Sequence, residues 1–335
     1  MGLKKDISWF TPQAMDLGGD TWRSPGYTEV SLKLFEALKN EGQNVLWSAE
    51  GVPWHVNYCS PYYYQYTGKQ NVGYTPWEST SLPAAWVERI DKCDQVWTTS
   101  QWCKEVFENN GVESAIEVVP HGISPEWRIE EREIADKFYF LHLGGDLTRK
   151  NVQLVVDAFL DLYDGDDGFH LILKASSAIS LVLDDFDATN NHPQITIITR
   201  FLDEDSLVAL YSNCHCFVYP TSGEGFGLSP FQAIATGMPT ICTDLTGCTE
   251  YSGLSMPLDA KFVAEEEYYG DIEFTSVGHP QVAAPDTRHL RELMTDAVKN
   301  FPKHKAQAIR SARILHSMQS WDSIARRILD LLELS

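Results

Sequence analysis

The sequence predicts an α/β protein made of two doubly wound domains. Short apolar runs alternate with amphipathic stretches along the first half, and Pro120-His121-Gly122 then breaks the alternation. The same alternation starts again at Phe138. Strands that alternate with helical patterns are typical of parallel sheets covered by helices. A length of 335 residues is enough for two domains of ordinary size, which we place at 1–125 and 126–317.

The elements of the first half are assigned from periodicity and turn residues. Residues 27–40, for example, carry apolar side chains at helical spacing and are followed by Gly42. The predicted strands are 6–10, 44–48, 55–59, 72–76, 95–98 and 116–120, and the predicted helices are 27–40, 82–92 and 101–109.

The second half gives a similar series. The predicted strands are 138–143, 170–174, 194–199, 215–219 and 238–242, and the predicted helices are 151–163, 203–213, 228–236, 287–300 and 304–334. Residues 260–285 are acidic and aromatic without a clear period, so we interpret them as an insertion or a long loop.

The composition excludes several classes of protein. Hydrophobic residues make up 43% of the chain and both signs of charge are present, which indicates a globular fold. No apolar run approaches the roughly 18 residues of a spanning helix, and the chain reaches Asp6 before any long apolar region, so we expect neither a membrane segment nor a signal peptide. Seven cysteines, an odd number, favour reduced thiols and a cytoplasmic location. The net charge of −21 disfavours a general nucleic-acid binder, because phosphate contacts need Lys and Arg.

The stretch 221–239, TSGEGFGLSPFQAIATGMP, is the most informative part of the chain. An apolar strand leads into a loop with several glycines, and a helix begins near Leu228. Free N–H groups and the positive end of the helix dipole favour a phosphate at such a helix start. Glu224 lies within the loop, too close to the anion to be a phosphate ligand. We therefore expect Glu224 to accept hydrogen bonds from sugar hydroxyls beside the phosphate.

This stretch resembles the signature of retaining glycosyltransferases of the GT-B fold, of the family 4 type, which reads roughly EGFGLxxLEAMAxGxPVI. The matching residues are Glu224, Gly225, Phe226, Gly227, Leu228, Ala233, Ala235, Gly237 and Pro239. The second acid of the family's Glu-x7-Glu motif, which binds the ribose hydroxyls, is replaced by Gln232. Because Gln keeps one acceptor and adds a donor, the resemblance still implies a ribose contact at this position.

Other motifs extend the resemblance over about residues 70–335. They are Trp97-Thr98-Thr99-Ser100, Gly111-Val112, the run 118–123, Arg149-Lys150-Asn151 and Ser320-Trp321-Asp322. The resemblance implies a GT-B architecture, with two Rossmann-like domains that face a cleft. It assigns the acceptor to 1–125 and the nucleotide-sugar donor to 126–317, with a last helix, about 318–335, that crosses back to the N-terminal domain.

The resemblance also implies a donor site. Lys150, with Arg149, provides positive charge for the diphosphate, together with the backbone at Gly227 and Leu228. Gly18-Gly19 follow the first strand and are a further candidate for the diphosphate, or an ordinary turn. The donor sugar is placed against Glu224 and its neighbours Gly225 and Phe226.

Candidates in the N-terminal half are less well defined. The family often has a catalytic His after a strand of this domain, and here His55 and Glu78 compete for that role beside Glu224. Eight aromatic residues between 54 and 77 form a dense cluster that suits either a sugar acceptor or ordinary packing, and from it we select Trp54, Tyr62 and Trp77 as acceptor-binding candidates.

The function that the resemblance implies is retaining, metal-independent transfer of a sugar from a nucleoside-diphosphate sugar to a hydroxyl. Retention is usually explained by front-face attack with the leaving phosphate as base. We expect no cofactor and no metal, because the Asp pairs of the chain lie at helix ends and loops, and Cys214 and His215 point to opposite faces of a strand. A glycan, a lipid-linked sugar, a protein and modified phage DNA stay open as acceptors. The alternatives are a nucleotide-sugar epimerase or hydrolase and a nucleotide-sugar-binding protein without turnover.

Overall fold

The computed structural model describes residues 6–12, 25–144, 148–265 and 279–334. The strands are β1 (Ile7–Phe10), β2 (Val45–Trp47), β3 (Trp54–Tyr58), β4 (Gln70–Tyr74), β5 (Gln95–Thr98), β6 (Ile116–Val118), β7 (Phe138–Leu143), β8 (Phe169–Lys174), β9 (Ile195–Ile198), β10 (Cys216–Tyr219), β11 (Thr240–Thr243), β12 (Met256–Leu258), β13 (Ala260–Ala264) and β14 (Gln281–Pro285). The helices are α1 (Pro25–Asn40), α2 (Ala84–Ile90), α3 (Gln101–Asn109), α4 (Val152–Tyr163), α5 (Phe186–Asn190), α6 (Glu204–Ser212), α7 (Leu228–Ala235), α8 (Thr287–Lys299), α9 (Phe301–Met318) and α10 (Trp321–Leu331).

The chain divides into two compact units. Within the described residues, the first unit contains 6–12, 25–124, 279–280 and 318–334, and the second contains 125–144, 148–265 and 281–317. Each unit has one six-stranded sheet. The predicted α/β class with two doubly wound sheets is therefore confirmed.

The sheet of the first unit has the strand order β2-β1-β3-β4-β5-β6, and all of its strand pairs are parallel. Ile7 of β1 lies opposite Val45 on one side and Trp54 on the other. The direction of the chain connections reverses between β1 and β3. In open parallel sheets, ligands bind beyond the carboxyl ends of the strands at such a switch point.

The sheet of the second unit has the order β9-β8-β7-β10-β11-β12, again with parallel pairs throughout. This is the 3-2-1-4-5-6 order of a Rossmann fold, whose switch point lies between β7 and β10. Its buried core includes Phe140, Phe159, Leu171 and Val218. Near-continuous apolar strands are expected here, because helices cover both faces of a parallel sheet.

Two expectations about the second half are wrong. Residues 304–334 do not form one helix, because α9 ends at Met318 and α10 begins at Trp321. Between them, the Ser320 side chain accepts a hydrogen bond from the backbone N–H of Ser323 and caps α10. Residues 260–285 are not loop throughout, since β13 and β14 at their two ends pair as an antiparallel ladder.

The last helix, α10, lies in the first unit. The Gln95 side chain donates to the carbonyl of Leu331 at 3.1 Å, and Arg326 pairs with Glu41 at 2.7 Å. A Cβ atom on Gly122 would lie 2.6 Å from the backbone nitrogen of Trp321. Close backbone contact therefore requires glycine at position 122.

A buried arginine holds the carboxyl ends of two helices in the second unit. The Arg132 guanidinium donates to the carbonyl of Tyr211 in the last turn of α6 and to the carbonyl of Cys214 just after that helix. It also donates to the carbonyl and hydroxyl of Thr236, just after α7. A cation beside the last carbonyls of a helix also offsets the negative end of the helix dipole. Arg132 thereby fixes α7 from its carboxyl end.

All seven cysteines are buried and none forms a disulfide. Burial raises the pKa of the Cys103 thiol to about 11 and that of Cys214 to about 12. No helix among the described residues is long and apolar enough to cross a bilayer.

Candidate functional site

Two loops meet beyond the carboxyl ends of β7 and β10, at the switch point of the second sheet. After β7 the backbone turns at Gly144, whose φ of +97° favours glycine, and a short 3-10 turn, Thr148–Lys150, leads into α4. After β10, residues 220–227 form the glycine loop, and α7 begins at Leu228. The site therefore lies where the fold places ligands.

Backbone and side-chain hydrogen bonds hold the two loops together. The Ser222 N–H donates to the carbonyl of Arg149 at 2.7 Å. The Asn151 amide donates to the Pro220 carbonyl and to the Ser222 hydroxyl, each at 2.7 Å. The glycine loop is thus fixed relative to the Arg149-Lys150 pair.

Gly227 of the glycine loop and Gly247, which packs against the loop, are required by close packing. Gly227 has a φ of +84°, and a Cβ there would lie 2.5 Å from the hydroxyl of Tyr251. That hydroxyl lies 2.7 Å from the carbonyls of both Phe226 and Gly227. A Cβ on Gly247 would lie 2.2 Å from the carbonyl oxygen of Gly225. Gly227 has no side chain to cap α7, and Pro230 in its first turn has no N–H. The first-turn donors that can face an anion are therefore the N–H groups of Leu228 and Ser229.

Glu224 is buried at the centre of a cluster of donors. Its carboxylate atom Oε1 accepts hydrogen bonds from Arg149, from Lys150, from the Tyr219 hydroxyl at 2.8 Å and from the Thr221 hydroxyl at 3.1 Å. The two cations are themselves largely buried, with side-chain exposures of 13% for Arg149 and 11% for Lys150. A compact cluster of two cations and one carboxylate, here called the cation cluster, therefore carries one net positive charge.

The cation cluster fixes the protonation of Glu224. Burial by itself raises the pKa of this carboxyl, but Arg149, Lys150 and the hydrogen bonds that it accepts outweigh burial and lower the pKa to about 2. Glu224 is thus an anion at neutral pH, suited to accept hydrogen bonds and not to donate a proton. Burial also lowers the pKa of the neighbouring His142 to about 4, so that the imidazole is neutral.

We predict that the cation cluster makes folding stability fall in acid. The folded pKa of Glu224 lies near 2, below the ordinary value of 4.5, so the stabilisation is complete above about pH 4.5 and disappears as the pH falls toward 2. Its size is about 3 kcal/mol by linkage. Urea unfolding between pH 5 and 2.5 should show a steeper loss for the wild type than for Glu224→Gln. Parallel pH profiles for the two proteins would contradict the assignment.

The other residues of the signature lie on or beside α7. Phe226 is buried and packs its ring against Phe231 and Tyr251. Its side chain therefore belongs to the core and does not provide a surface for a donor sugar. Gln232 lies one turn into α7 and is also buried. The structure thus brings Arg149, Lys150, Glu224 and the start of α7 together, with Gln232 on the same helix.

The candidates of the first unit are placed very differently. Glu78 follows the carboxyl end of β4, at the edge where parallel sheets bind ligands. His55 is the second residue of β3, near the amino end, where its Nδ1 atom lies 2.9 Å from the Ser8 hydroxyl. The catalytic residue implied by the resemblance comes after a strand of this domain. Glu78 has that position and His55 does not, so the placement favours Glu78 for the role. Gly18-Gly19 lie outside the described residues.

Most of the aromatic cluster forms core. Trp54 and Trp77 are buried, and the indole N–H of Trp77 donates to the Ser81 carbonyl at 2.9 Å. Tyr62 is 41% exposed and packs edge-on against Trp86. Among the three selected acceptor candidates, Tyr62 has the accessible ring that stacking on a sugar requires.

Sequence reasoning missed several polar residues of the site. Tyr219 ends β10 and its hydroxyl bonds both Lys150 and Glu224, while the Thr246 hydroxyl accepts from the Glu224 N–H at 3.2 Å. His142 shares the site through a 2.8 Å bond between Nδ1 and the Val218 carbonyl. Polar residues at the last two positions of adjacent buried strands were the available signal.

The sequence pattern Cys214-His215-Cys216 serves packing. The His215 Nδ1 atom accepts from the Tyr139 N–H at 3.0 Å, and its ring stacks against Tyr139. Residues 6–12, 25–144, 148–265 and 279–334 contain no group of three His, Cys, Asp or Glu side chains arranged to hold a metal ion.

Comparison with known proteins defines the class. Residues 124–254 match the family model described as Glycosyl transferases group 1, which covers both loops of the cation cluster. The fold is similar to a sucrose-phosphate synthase from Thermosynechococcus elongatus, with a TM-score of 0.72 and 13% identity over 98% of both chains. It is also similar to HepE from Anabaena in complex with UDP and glucose, with a TM-score of 0.70 and 10% identity over 98% of this chain and 99% of that one. The fold is thus that of the GT-B glycosyltransferases.

Sequence relatives refine this class. A stretch of 57 residues is 44% identical to the serotype-specific mannosyltransferase WbdA of Escherichia coli, over 17% of this chain and 7% of that protein. The O-antigen chain mannosyltransferase RfbU of Salmonella typhimurium is 27% identical over 166 residues, 47% of this chain and 44% of that protein. The chain spans less than half the length of these relatives. Its residues 124–254 are similar to the glycosyl transferases group 1 family, and its fold is that of the GT-B glycosyltransferases.

Proposed function

We propose that the protein is a glycosyltransferase that moves a sugar from a nucleoside-diphosphate sugar to a hydroxyl acceptor, with retention and without a metal ion. The observation that carries the proposal is the cation cluster at the start of α7. Lys150 and Arg149 converge within hydrogen-bond distance of Glu224, beside uncapped helix N–H groups at a Rossmann switch point.

The cation cluster supplies what departure of a diphosphate requires. In sugar transfer, negative charge grows on the leaving diphosphate, and fixed donors placed there stabilise the transition state. Lys150 and Arg149 are held by Glu224 and by backbone contacts, so little reorganisation is needed. Two cations and a helix start can take the part that a divalent metal plays in other transferases, which supports metal independence.

The role of Glu224 follows from its charge. With a pKa near 2, its carboxylate stays ionised and accepts hydrogen bonds, so it cannot serve as a general acid. This supports transfer in which the leaving phosphate takes the acceptor's proton, on the front face of the sugar. Glu224 then contacts the sugar hydroxyls and holds the two cations.

The donor and the acceptor are proposed from the relatives and from the first unit. The relatives WbdA and RfbU are named mannosyltransferases, so mannose donors are the first to test. Glucose donors come next, because HepE was solved with UDP and glucose. For the acceptor we propose a glycan or lipid-linked sugar that contacts Tyr62 and lies near Glu78. The net charge of −21 disfavours DNA as the acceptor.

A panel of nucleotide sugars tests the proposal. A ligand that binds only the folded state stabilises it, so we expect one donor to raise the thermal unfolding midpoint. The nucleoside diphosphate of that donor should also raise the midpoint, and the bare nucleoside should raise it much less. The stabilisation should persist in excess chelator, and strict dependence on Mg²⁺ or Mn²⁺ would contradict metal independence.

Activity assays then separate the alternatives. Incubation of the stabilising donor with a glycan acceptor should give a glycosylated product whose anomeric configuration matches the donor, as seen by NMR. Inversion would contradict retention. Donor hydrolysis or epimerisation without transfer would favour the second enzyme interpretation, and binding without any turnover would favour a nucleotide-sugar-binding protein.

A further inference from the structure

One helix face differs in charge from the rest of this acidic protein. Residues 297–321 contain five of the chain's 26 Lys and Arg and none of its 47 Asp and Glu. Most of this stretch is α9, whose Ala308, Ala312 and Leu315 are buried in the second unit. The opposite side of α9 is open to solvent.

The exposed face combines cations with apolar side chains. Lys303, Arg310, Ile314, Met318 and, beside them, Arg313 follow helical spacing and form what we call the α9 face. Ile314 is 47% exposed and Met318 is 68% exposed. Exposed large apolar residues next to unpaired cations are typical of helices that lie in a membrane interface.

The charges on the α9 face are not neutralised where they are most exposed. Arg310 bonds the Gln307 side chain on the same helix, at 2.7 Å, and Arg313 makes no ion pair with a described residue. Carboxylates are present near the amino end, where Lys305 pairs with Glu133 and His304 with Asp296. In the carboxyl half of α9, Arg310 and Arg313 therefore present positive charge that no carboxylate of the described residues pairs with.

We propose that the α9 face binds an anionic lipid surface. Charges farther away than about 8 Å are screened at physiological ionic strength, so the acidic remainder of the chain does not cancel a local contact. Each basic side chain near an anionic bilayer strengthens binding about fivefold, and Ile314 and Met318 add apolar burial in the interface. A nucleic acid uses the cations but gains little from these two apolar side chains.

This inference is independent of the donor site, since none of its residues belongs to the cation cluster. It also gives the proposed acceptor a location, because a lipid-linked sugar lies at such a surface. Failure of the vesicle experiment leaves the transfer assays unaffected, and failure of those assays leaves lipid binding standing.

Vesicle sedimentation tests the proposal with the full chain. We expect the wild type to sediment with vesicles of phosphatidylcholine mixed equally with phosphatidylglycerol, and not with phosphatidylcholine alone. The double variant Arg310→Gln, Arg313→Gln should bind about 25-fold more weakly, from about fivefold per charge. The matched control Arg288→Gln, Arg326→Gln makes the same change in charge at two exposed arginines that pair with Glu292 and Glu41, and should bind like the wild type.

Several outcomes would overturn the proposal. They are equal binding to the two kinds of vesicle, no binding to either, or an equal loss in the control variant. A second variant, Ile314→Ser with Met318→Ser, should weaken binding about tenfold through lost apolar burial. Unchanged vesicle binding of that variant would contradict insertion of Ile314 and Met318 into the interface. Binding to a duplex DNA fragment in place of vesicles would assign the α9 face to another polyanion. All variants change exposed residues, and unchanged thermal midpoints would verify that they fold.

Discussion

Replacing Lys150 with alanine is expected to weaken binding of a nucleoside diphosphate about 100-fold and to leave binding of the bare nucleoside almost unchanged. Lys150 is largely buried, its ammonium lies 4.9 Å from the centre of the Tyr219 ring, and it bonds Glu224. Hydrogen bonds to charged groups are worth about 1.5–3 kcal/mol, and the upper part of that range corresponds to 100-fold. Calorimetric titration with both ligands measures the two affinities.

A control for this substitution lies at the opposite end of the same strand. Lys137 directly precedes β7, whereas Lys150 follows it. Lys137→Ala removes the same charge from the same unit and should leave both affinities unchanged. If Lys150→Ala weakens the diphosphate and the nucleoside equally, the lysine does not bind phosphate and the donor site lies elsewhere.

Glu224→Gln is expected to strengthen binding of the nucleoside diphosphate, in contrast to Lys150→Ala, and to abolish most of the sugar transfer. The substitution leaves Arg149 and Lys150 buried without their counterion, and breaking a buried ion pair in this way costs about 3–5 kcal/mol. The free protein should therefore be less stable. A diphosphate restores the missing negative charge, so it should bind about tenfold more tightly than to the wild type and produce a larger thermal shift.

The rate of sugar transfer by Glu224→Gln should fall by at least about 100-fold, because the group that accepts hydrogen bonds from the hydroxyls of the donor sugar has lost its charge. The control Glu292→Gln makes the same change in an exposed pair with Arg288, where the effect on stability should be below about 1 kcal/mol. If Glu224→Gln weakens binding of the nucleoside diphosphate as Lys150→Ala does, Glu224 contributes directly to the phosphate site and is not only the counterion of Arg149 and Lys150.

Much of the fold could be predicted because its signals are local. The strands at 95–98 and 138–143 were predicted to the residue, since apolar runs and turn residues mark both ends. The two different strand orders could not be predicted, because they depend on which strands pair at long range. The break before α10 was missed for a related reason. It coincides with a hydrogen bond from the Ile123 N–H to the Gln319 carbonyl, nearly 200 residues apart in sequence.

The candidate site was predictable in its charged residues and not in its neutral ones. Lys150 and Glu224 stand in recognisable motifs, and the structure places them in contact. Tyr219 and Thr221 acquire their roles only when β10 lies beside β7, which no local pattern shows. In the first unit, His55 and Trp54 were candidates because of their side-chain chemistry, but no local pattern shows that they lie at the amino end of β3. In a parallel sheet, a polar residue contacts a ligand when it lies at the carboxyl end of its strand and not when it lies at the amino end.

The burial of every native thiol gives the protein a chemically silent background. Alkylating reagents attack the thiolate, and burial keeps that form scarce at Cys103 and Cys214, whose pKa values lie near 11 and 12. A cysteine introduced at an exposed position such as Ser317 can then carry a fluorophore or spin label without deletion of any native cysteine. The seven native thiols are buried and react only when the core around them opens, so the rate of their alkylation measures local unfolding.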